Sequence, residues 1–164
     1  MRRVVLVALL FLGACGDGGD AGPAQAASAC GADTGEAPDP GSIQHVLPGA
    51  PEPAYLTDPP SSGAHLAGGA VGGVQAAPLA RPVQVAVLEA GGIVVQHDGL
   101  DAAGRRRLEA LAGPDVVVSP NPDLAAPVVA TAWGRRLTCG GAGTDAVAAV
   151  ERFVAAHRGG GPGH

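Results

Sequence analysis

Apolar positions along the chain fall into three regimes. Val4 to Leu12 form an unbroken apolar run behind Arg2 and Arg3. Residues 16–41 are mostly Gly, Ala, Asp and Pro, with no large apolar side chain. From Val83 onward, short apolar runs alternate with Gly- and Pro-rich breaks. Val83 to Glu89 and Ile93 to His97 read as strands joined at Gly91-Gly92, a pair that supplies positive φ for a tight hairpin. Leu100 to Ala112 predicts a helix, with Asp101 as N-cap, Leu100, Leu108 and Leu111 on one face, and Gly113-Pro114 as the stop. Val116 to Ser119 is a short strand, followed by the turn-rich "PNPDLAAP". Val128 to Trp133 and Arg135 to Cys139 are two further strands, or one strand bent at Gly134. Thr144 then caps a last helix, on which Val147, Val150, Val154 and His157 recur at helical spacing beside Phe153. The order β-β-α-β-β-α predicts an α+β fold: a mainly antiparallel sheet with both helices on one face, preceded by a Pro/Gly-rich wrapping segment over 42–82.

These regimes divide the chain. Residues 1–14 read as a signal peptide, with an apolar stretch too short to span a bilayer comfortably. The sequence "LGAC" places two small residues and an aliphatic one before Cys15, the pattern of a bacterial lipobox, so Cys15 is expected to be lipidated. Residues 15–41 are the lipidated cysteine and a flexible tether, since nothing there offsets the entropy of ordering it. Residues 42–158 form one domain, and 159–164, ending at His164, a disordered tail. The expected setting is the cell envelope, outside the cytoplasm, with the membrane as partner through the lipid.

Charge and cysteines narrow the picture. Residues 1–14 carry Arg2 and Arg3 and no acid, so their removal takes the formal charge from −5 to −7. All Lys+Arg positions are Arg, and aromatics are only 2% of the chain. An acidic chain without a basic stripe or stacking platforms argues against nucleic acid as a partner. With Cys15 lipidated, an exported chain most simply pairs Cys30 with Cys139.

Three segments resemble, in order and spacing, the DUF3105 family of exported or membrane-anchored bacterial domains: "HVLPGAPEPAYLTDPPSSGAH" (45–65), "VLEAGGIVV" (87–95) and "VVVSPNPDLAAPVVATAWGR" (116–135). The resemblance runs from about Cys30 to His157. It implies a motif H-x-L-E-H-G-G, in which Leu88, Glu89, Gly91 and Gly92 match, while the two histidines fall on Ala86 and Ala90. A following His-Tyr pair falls on Gln96 and His97, and earlier histidines on His45 and His65. In the strand reading, positions 86, 88 and 90 face one way and 85, 87 and 89 the other. Two imidazoles at 86 and 90 would grip one metal; two methyl groups cannot.

The function expected is therefore a non-catalytic binding or structural domain, not an enzyme, with no cofactor. No nucleophile elbow, P-loop or HExxH motif occurs in the sequence, and Ser61, Ser62 and Ser119 lack a strand-turn-helix setting. The alternative is an extracytoplasmic copper or zinc protein with a reduced site of His45, His65 and Glu89, with His97 as a further candidate. Glu89 has competing uses in capping the Gly-Gly turn or pairing with Arg81. Arg105, Arg106 and Arg107 read as a solvated helix face. Trp133 reads as a core or core-edge anchor, Tyr55 as a loop packed on the sheet, and His157 as a cation at a helix C-terminus. No protein partner or ligand is named by these residues.

Overall fold

The structure is a computed structural model that describes residues 29–162. The expected signal peptide over 1–14, the expected lipidation site Cys15, and His164 lie outside the described residues. Eight strands, three α-helices and one 3₁₀ turn build the described part of the chain. β1 (Thr34–Gly35), a 3₁₀ turn (Pro40–Ile43), β2 (His45–Val46), β3 (His65–Leu66) and β4 (Gly73–Val74) come first. Then follow α1 (Arg81–Glu89), β5 (Ile93–His97), α2 (Ala102–Glu109), β6 (Val116–Pro120), β7 (Val128–Ala132), β8 (Arg135–Cys139) and α3 (Thr144–His157). The main sheet has the order β1-β8-β7-β5-β6-β4. Its β1-β8-β7-β5 half is antiparallel and its β5-β6-β4 half parallel. β2 and β3 form a separate parallel pair. Among the described residues, no helix is long and apolar enough to cross a membrane.

The α+β class and a mostly antiparallel mixed sheet agree with the sequence, but the first expected strand does not exist. Val83 to Glu89 lies within α1. Pro82 sits in the first turn, where a missing N–H costs nothing. Gly91-Gly92 ends the helix instead of turning a hairpin. The N–H of Gly92 donates to Val87 O at 2.8 Å and that of Gly91 to Leu88 O at 3.0 Å, the paired bonds of a Schellman cap. Gly91 takes φ +81°, and a Cβ on Gly92 would lie 2.7 Å from Val87 Cγ1. The helical period is hidden because Val85, Ala86, Val87 and Leu88 are all buried. A helix covered on several sides reads as a continuous apolar run, like a buried strand.

The sheet separates two cores. Ile93, Val95, Val116, Val118, Val128, Ala130 and Leu137 face α2 and α3, meeting Leu108, Val147, Val150 and Phe153. Helices α2 and α3 thus share one face, as expected. On the other face Val94 and Val117 meet Val87 and Leu88 of α1, with Leu79 and Trp133 packed against them. Trp133 is a core-edge anchor. Asp101 caps α2, its carboxylate accepting from Gly104 N at 2.6 Å. Gly143, not Thr144, is the N-cap of α3. Trp133-Gly134 turns β7 into β8 as a hairpin, with Gly134 at φ +63°.

The tether read over 15–41 is docked from Cys30 onward. Cys30 is disulfide-bonded to Cys139, 109 residues away. β1 pairs with β8, Thr34 opposite Arg136. Glu36 accepts from Arg136 Nε at 2.6 Å, and both side chains are mostly buried. Burial pushes the Glu36 carboxyl up, but hydrogen bonds from Arg136 and Ser61 and the Arg136 charge outweigh it and hold it below 4.5. Composition hid this docking because its anchors are polar or covalent and not apolar.

Two predictions follow from these anchors. Replacing Cys30 and Cys139 by Ser should lower unfolding free energy by about 2–5 kcal/mol, measured by urea titration, since the bridge closes a long loop. A carboxylate with a depressed folded pKa stabilises above its unfolded pKa and loses that contribution as pH falls through the folded value. Glu36→Gln should therefore lower stability at pH 7 and flatten its decline below pH 4.5, the ordinary value for the group, in urea midpoints taken across that range.

Candidate functional site

The segment "PPSSGAH" is rich in turn formers, yet Pro59 through His65 are all buried. Its backbone groups find partners across the fold, which makes that burial tolerable. The Ser61 carbonyl accepts from Gly134 N at 2.9 Å, and His65 N donates to Gln44 O at 3.1 Å. Arg136 donates to the Pro59 carbonyl. Ser62 Oγ accepts from Asp39 N at 2.9 Å, and the Tyr55 hydroxyl donates to Ala64 O at 2.7 Å. Burial and the Glu52 carboxylate push the Tyr55 hydroxyl up to about 12, so it remains a donor. Gly63 takes φ +129°, and a Cβ there would lie 2.8 Å from Tyr55 Cδ1. The Tyr55 ring thus presses on a position that only glycine fits, packing its loop against the 59–65 loop, whereas the sequence predicts packing on the sheet.

This loop delivers His65 to the interior. His65 is 1% exposed. Its Nδ1 lies 2.9 Å from the Gly63 carbonyl oxygen. A carbonyl only accepts, so Nδ1 must carry the proton and the neutral ring has its lone pair on Nε2. Nε2 is 2.9 Å from Glu89 Oε2, but the carboxylate lies off the hydrogen-bonding direction and Nε2 has no hydrogen-bond partner among the described residues. Two lone-pair carriers at that distance repel unless a cation, either a proton on the ring or a metal ion, lies with them.

The parallel pairing of β2 and β3 sets His45 directly beside His65. The rings meet edge to face with centroids 4.8 Å apart. One ligand atom from each of His45, His65 and Glu89 lies within 4.8 Å of the others. His45 is exposed and Glu89 half-buried, so the cluster opens to solvent on one side. The three residues that the sequence singled out therefore converge.

The helical form of α1 changes how they relate to Ala86 and Ala90. In a strand Glu89 would point away from both; in a helix positions 86, 89 and 90 share a face. Ala86 is buried, and Ala90, the C-cap of α1, is exposed. Glu89 neither caps the Gly-Gly turn nor meets Arg81, which pairs with Glu52 at 2.6 Å. His97 stands apart. It shares the strand face of Ile93 and Val95, turned toward α2, whereas β3 packs against α1.

Other chemistry-bearing residues are absorbed by structure. Ser119 Oγ is fully buried, with no hydrogen-bond partner among the described residues. On the α1 face, Asn121 Nδ2 donates to Gln96 Oε1 and Gln96 Nε2 to Gln84 Oε1. Gln84 Nε2 then donates to Leu79 O at 2.7 Å. His157 sits in the last turn of α3 as expected, but its Nε2 meets Asp33 Oδ2 at 2.6 Å. Burial raises the Asp33 carboxyl, and hydrogen bonds from His157 and Arg135 reverse that and hold it below its usual value. Composition could not reveal this contact, because Asp33 lies in the segment read as tether.

A family model described as "Protein of unknown function (DUF3105)" matches residues 50–164, more than half of the chain. His65 and Glu89 fall inside that span and His45 just before it. No curated protein and no solved structure matches the chain.

The tautomer is directly measurable. In metal-free protein at a pH where His65 is neutral, ring ¹⁵N shifts should show Nδ1 protonated and Nε2 bare. Glu89→Gln should leave that tautomer in place, because the Gly63 carbonyl fixes it.

Proposed function

The chain belongs to the DUF3105 family, and from its histidine–carboxylate cluster we propose that it is a lipid-anchored, non-catalytic metal-binding domain of the cell envelope. The observation that carries this reading is the bare, buried Nε2 of His65 facing Glu89. A histidine that ligates metal commonly ties its other ring nitrogen to a carbonyl, which fixes the tautomer and aims the ligating atom. His65 does this through Gly63. The 2.9 Å between Nε2 and Oε2 is somewhat shorter than the separation of two donors on one tetrahedral zinc, roughly 3.4 Å from the usual bond lengths. A small movement of the half-exposed Glu89 accommodates an ion, and exposed His45 turns in as the third donor.

Two imidazoles and a carboxylate suit zinc or copper(II). Three protein donors leave a coordination position for water or another ligand. The alanines at 86 and 90 then mean a smaller ligand set, not an abolished one. Export and lipidation are supported by the signal-like residues 1–14 with Cys15, and by the Cys30–Cys139 bridge, which suits an oxidising compartment. The non-catalytic role is supported by the serines: Ser62 is engaged with Asp39, Ser61 with Glu36, and Ser119 is sealed in the core.

Calorimetry of the tag-free chain with Zn(II) and with Cu(II) tests the reading. One ion should bind per chain with Kd of about 1 µM or tighter, near −8 kcal/mol. His65→Ala should weaken it by about 100-fold or more, and Ala90→His should tighten it by supplying a fourth donor. Binding untouched by His65→Ala would refute the site.

A further inference from the structure

A cleft of about 450 Å³ lies on the face of the sheet opposite α1. It opens at the carboxyl ends of the parallel strands β4, β6 and β5, between them and α2. Crevices outside the carboxyl ends of parallel strands are where open sheets with crossover helices place ligands. Its walls are Val74 and Gln75 from the β4 end, His97 and Pro120 from the ends of β5 and β6, and one face of α2 carrying Arg105, Arg106 and Glu109.

The floor of this cleft is polar where the rest of that face is aliphatic. His97 follows Ile93 and Val95 on the same side of β5. It is only 8% exposed, and its ring makes no hydrogen bond among the described residues. Burial holds its pKa below the usual value, with Glu109 and Asp98 acting to raise it and Arg105 to lower it. Near neutral pH it is therefore a hydrogen-bonding group without charge. Two guanidinium groups stand at the mouth. Among the described residues Arg105 is held only by a 3.9 Å contact to Glu109, with side chains 53% and 33% exposed, a pairing too weak to immobilise it. Arg107 is not available, since its Nε donates to Ala142 O at 2.9 Å. The run of three arginines thus divides: one fastens the loop before α3, and the other two line the cleft.

We propose that this cleft is a binding site for a small phosphate-bearing ligand, with Arg105 and Arg106 taking the oxyanion and His97 hydrogen-bonding it from below. Guanidinium forks match phosphate oxygens in pairs, and such charged hydrogen bonds are the strong ones. Glu109 sets a limit on the charge the cleft accepts: the ligand must displace the Arg105 contact and keep clear of that carboxylate. Gln75 lies on the far wall, its amide nitrogen donating to the Gly72 carbonyl at 2.9 Å. The site is separate from His45, His65 and Glu89, so neither depends on the other.

The experiment follows the His97 ring by NMR in the unlipidated chain while inorganic phosphate is added at constant ionic strength. A second arm adds vesicles of phosphatidylglycerol in phosphatidylcholine. Expected is a saturable shift of His97, half complete at about 1 mM or below, and at least tenfold weaker in Arg105→Gln/Arg106→Gln. Both arginines are solvent-exposed, so that variant should fold, and unchanged amide shifts in the β-sheet confirm it. His65→Ala should retain the response. Vesicle binding in addition to the phosphate response identifies a lipid headgroup as the source of the phosphate. No saturable shift of His97, a shift indifferent to the arginine changes, or vesicle binding without a phosphate response would each overturn the proposal.

Discussion

The hydrogen bond from His65 Nδ1 to the Gly63 carbonyl constrains more of this domain than its size suggests. It spans only two residues of chain, yet it decides where the lone pair of a fully buried imidazole points. To make it, Gly63 must adopt a left-handed φ beneath the Tyr55 ring. Tyr55 must in turn bond Ala64, and the loop from Pro59 must be sealed by Arg136, Asp39 and Gly134. Remove any of these and a polar loop would be buried with unsatisfied groups, which costs far more than the hydrogen bonds contribute in water. The cluster with Glu89 and His45 is the product of that arrangement.

The two faces of the sheet do different work. Against α2 and α3 it is aliphatic through most of its extent, and the bulk of the apolar burial lies there. Against α1 the apolar patch is small, and a relay of Asn121, Gln96 and Gln84 runs beside it. Buried amides of this kind hold a register only when each is satisfied, and here the chain of donors ends on the Leu79 carbonyl. The relay fixes α1 against β5, and α1 carries Glu89 to His65. On the aliphatic face the exception is His97, at the end of β5, where α2 no longer covers the sheet.

Several elements were legible because local chemistry agreed with the final fold. Asp101 caps α2 as its side chain predicts, the valine-rich β6 is interior, and the last helix buries Val147, Val150 and Val154. The pairing of Cys30 with Cys139 was also readable, since the two cysteines left over in a chain expected to be exported have one simple partner each. Misread was the stretch from Val83 to Gly92. Its valines favour strands, and a Gly-Gly pair serves a hairpin or a helix cap equally well. The discriminating signal was Pro82, which starts a helix readily. The docking of residues 30–41 had no apolar signal at all, because it relies on a disulfide, a two-residue strand and the Glu36–Arg136 pair.

The sequence by itself determined which groups could carry chemistry: His45, His65 and Glu89 were the residues left once motif positions 86 and 90 held alanine. It also determined the disulfide partners and the class of fold, since these depend on residue type and on local periodicity. Only the tertiary structure decided that the three groups meet, that 86, 89 and 90 lie on one face, and that His97 belongs to a different cleft. The physical reason is that the donors come from segments distant in sequence. Their meeting depends on the β2–β3 pairing and on α1 being a helix, and neither can be read from the spacing of the residues concerned.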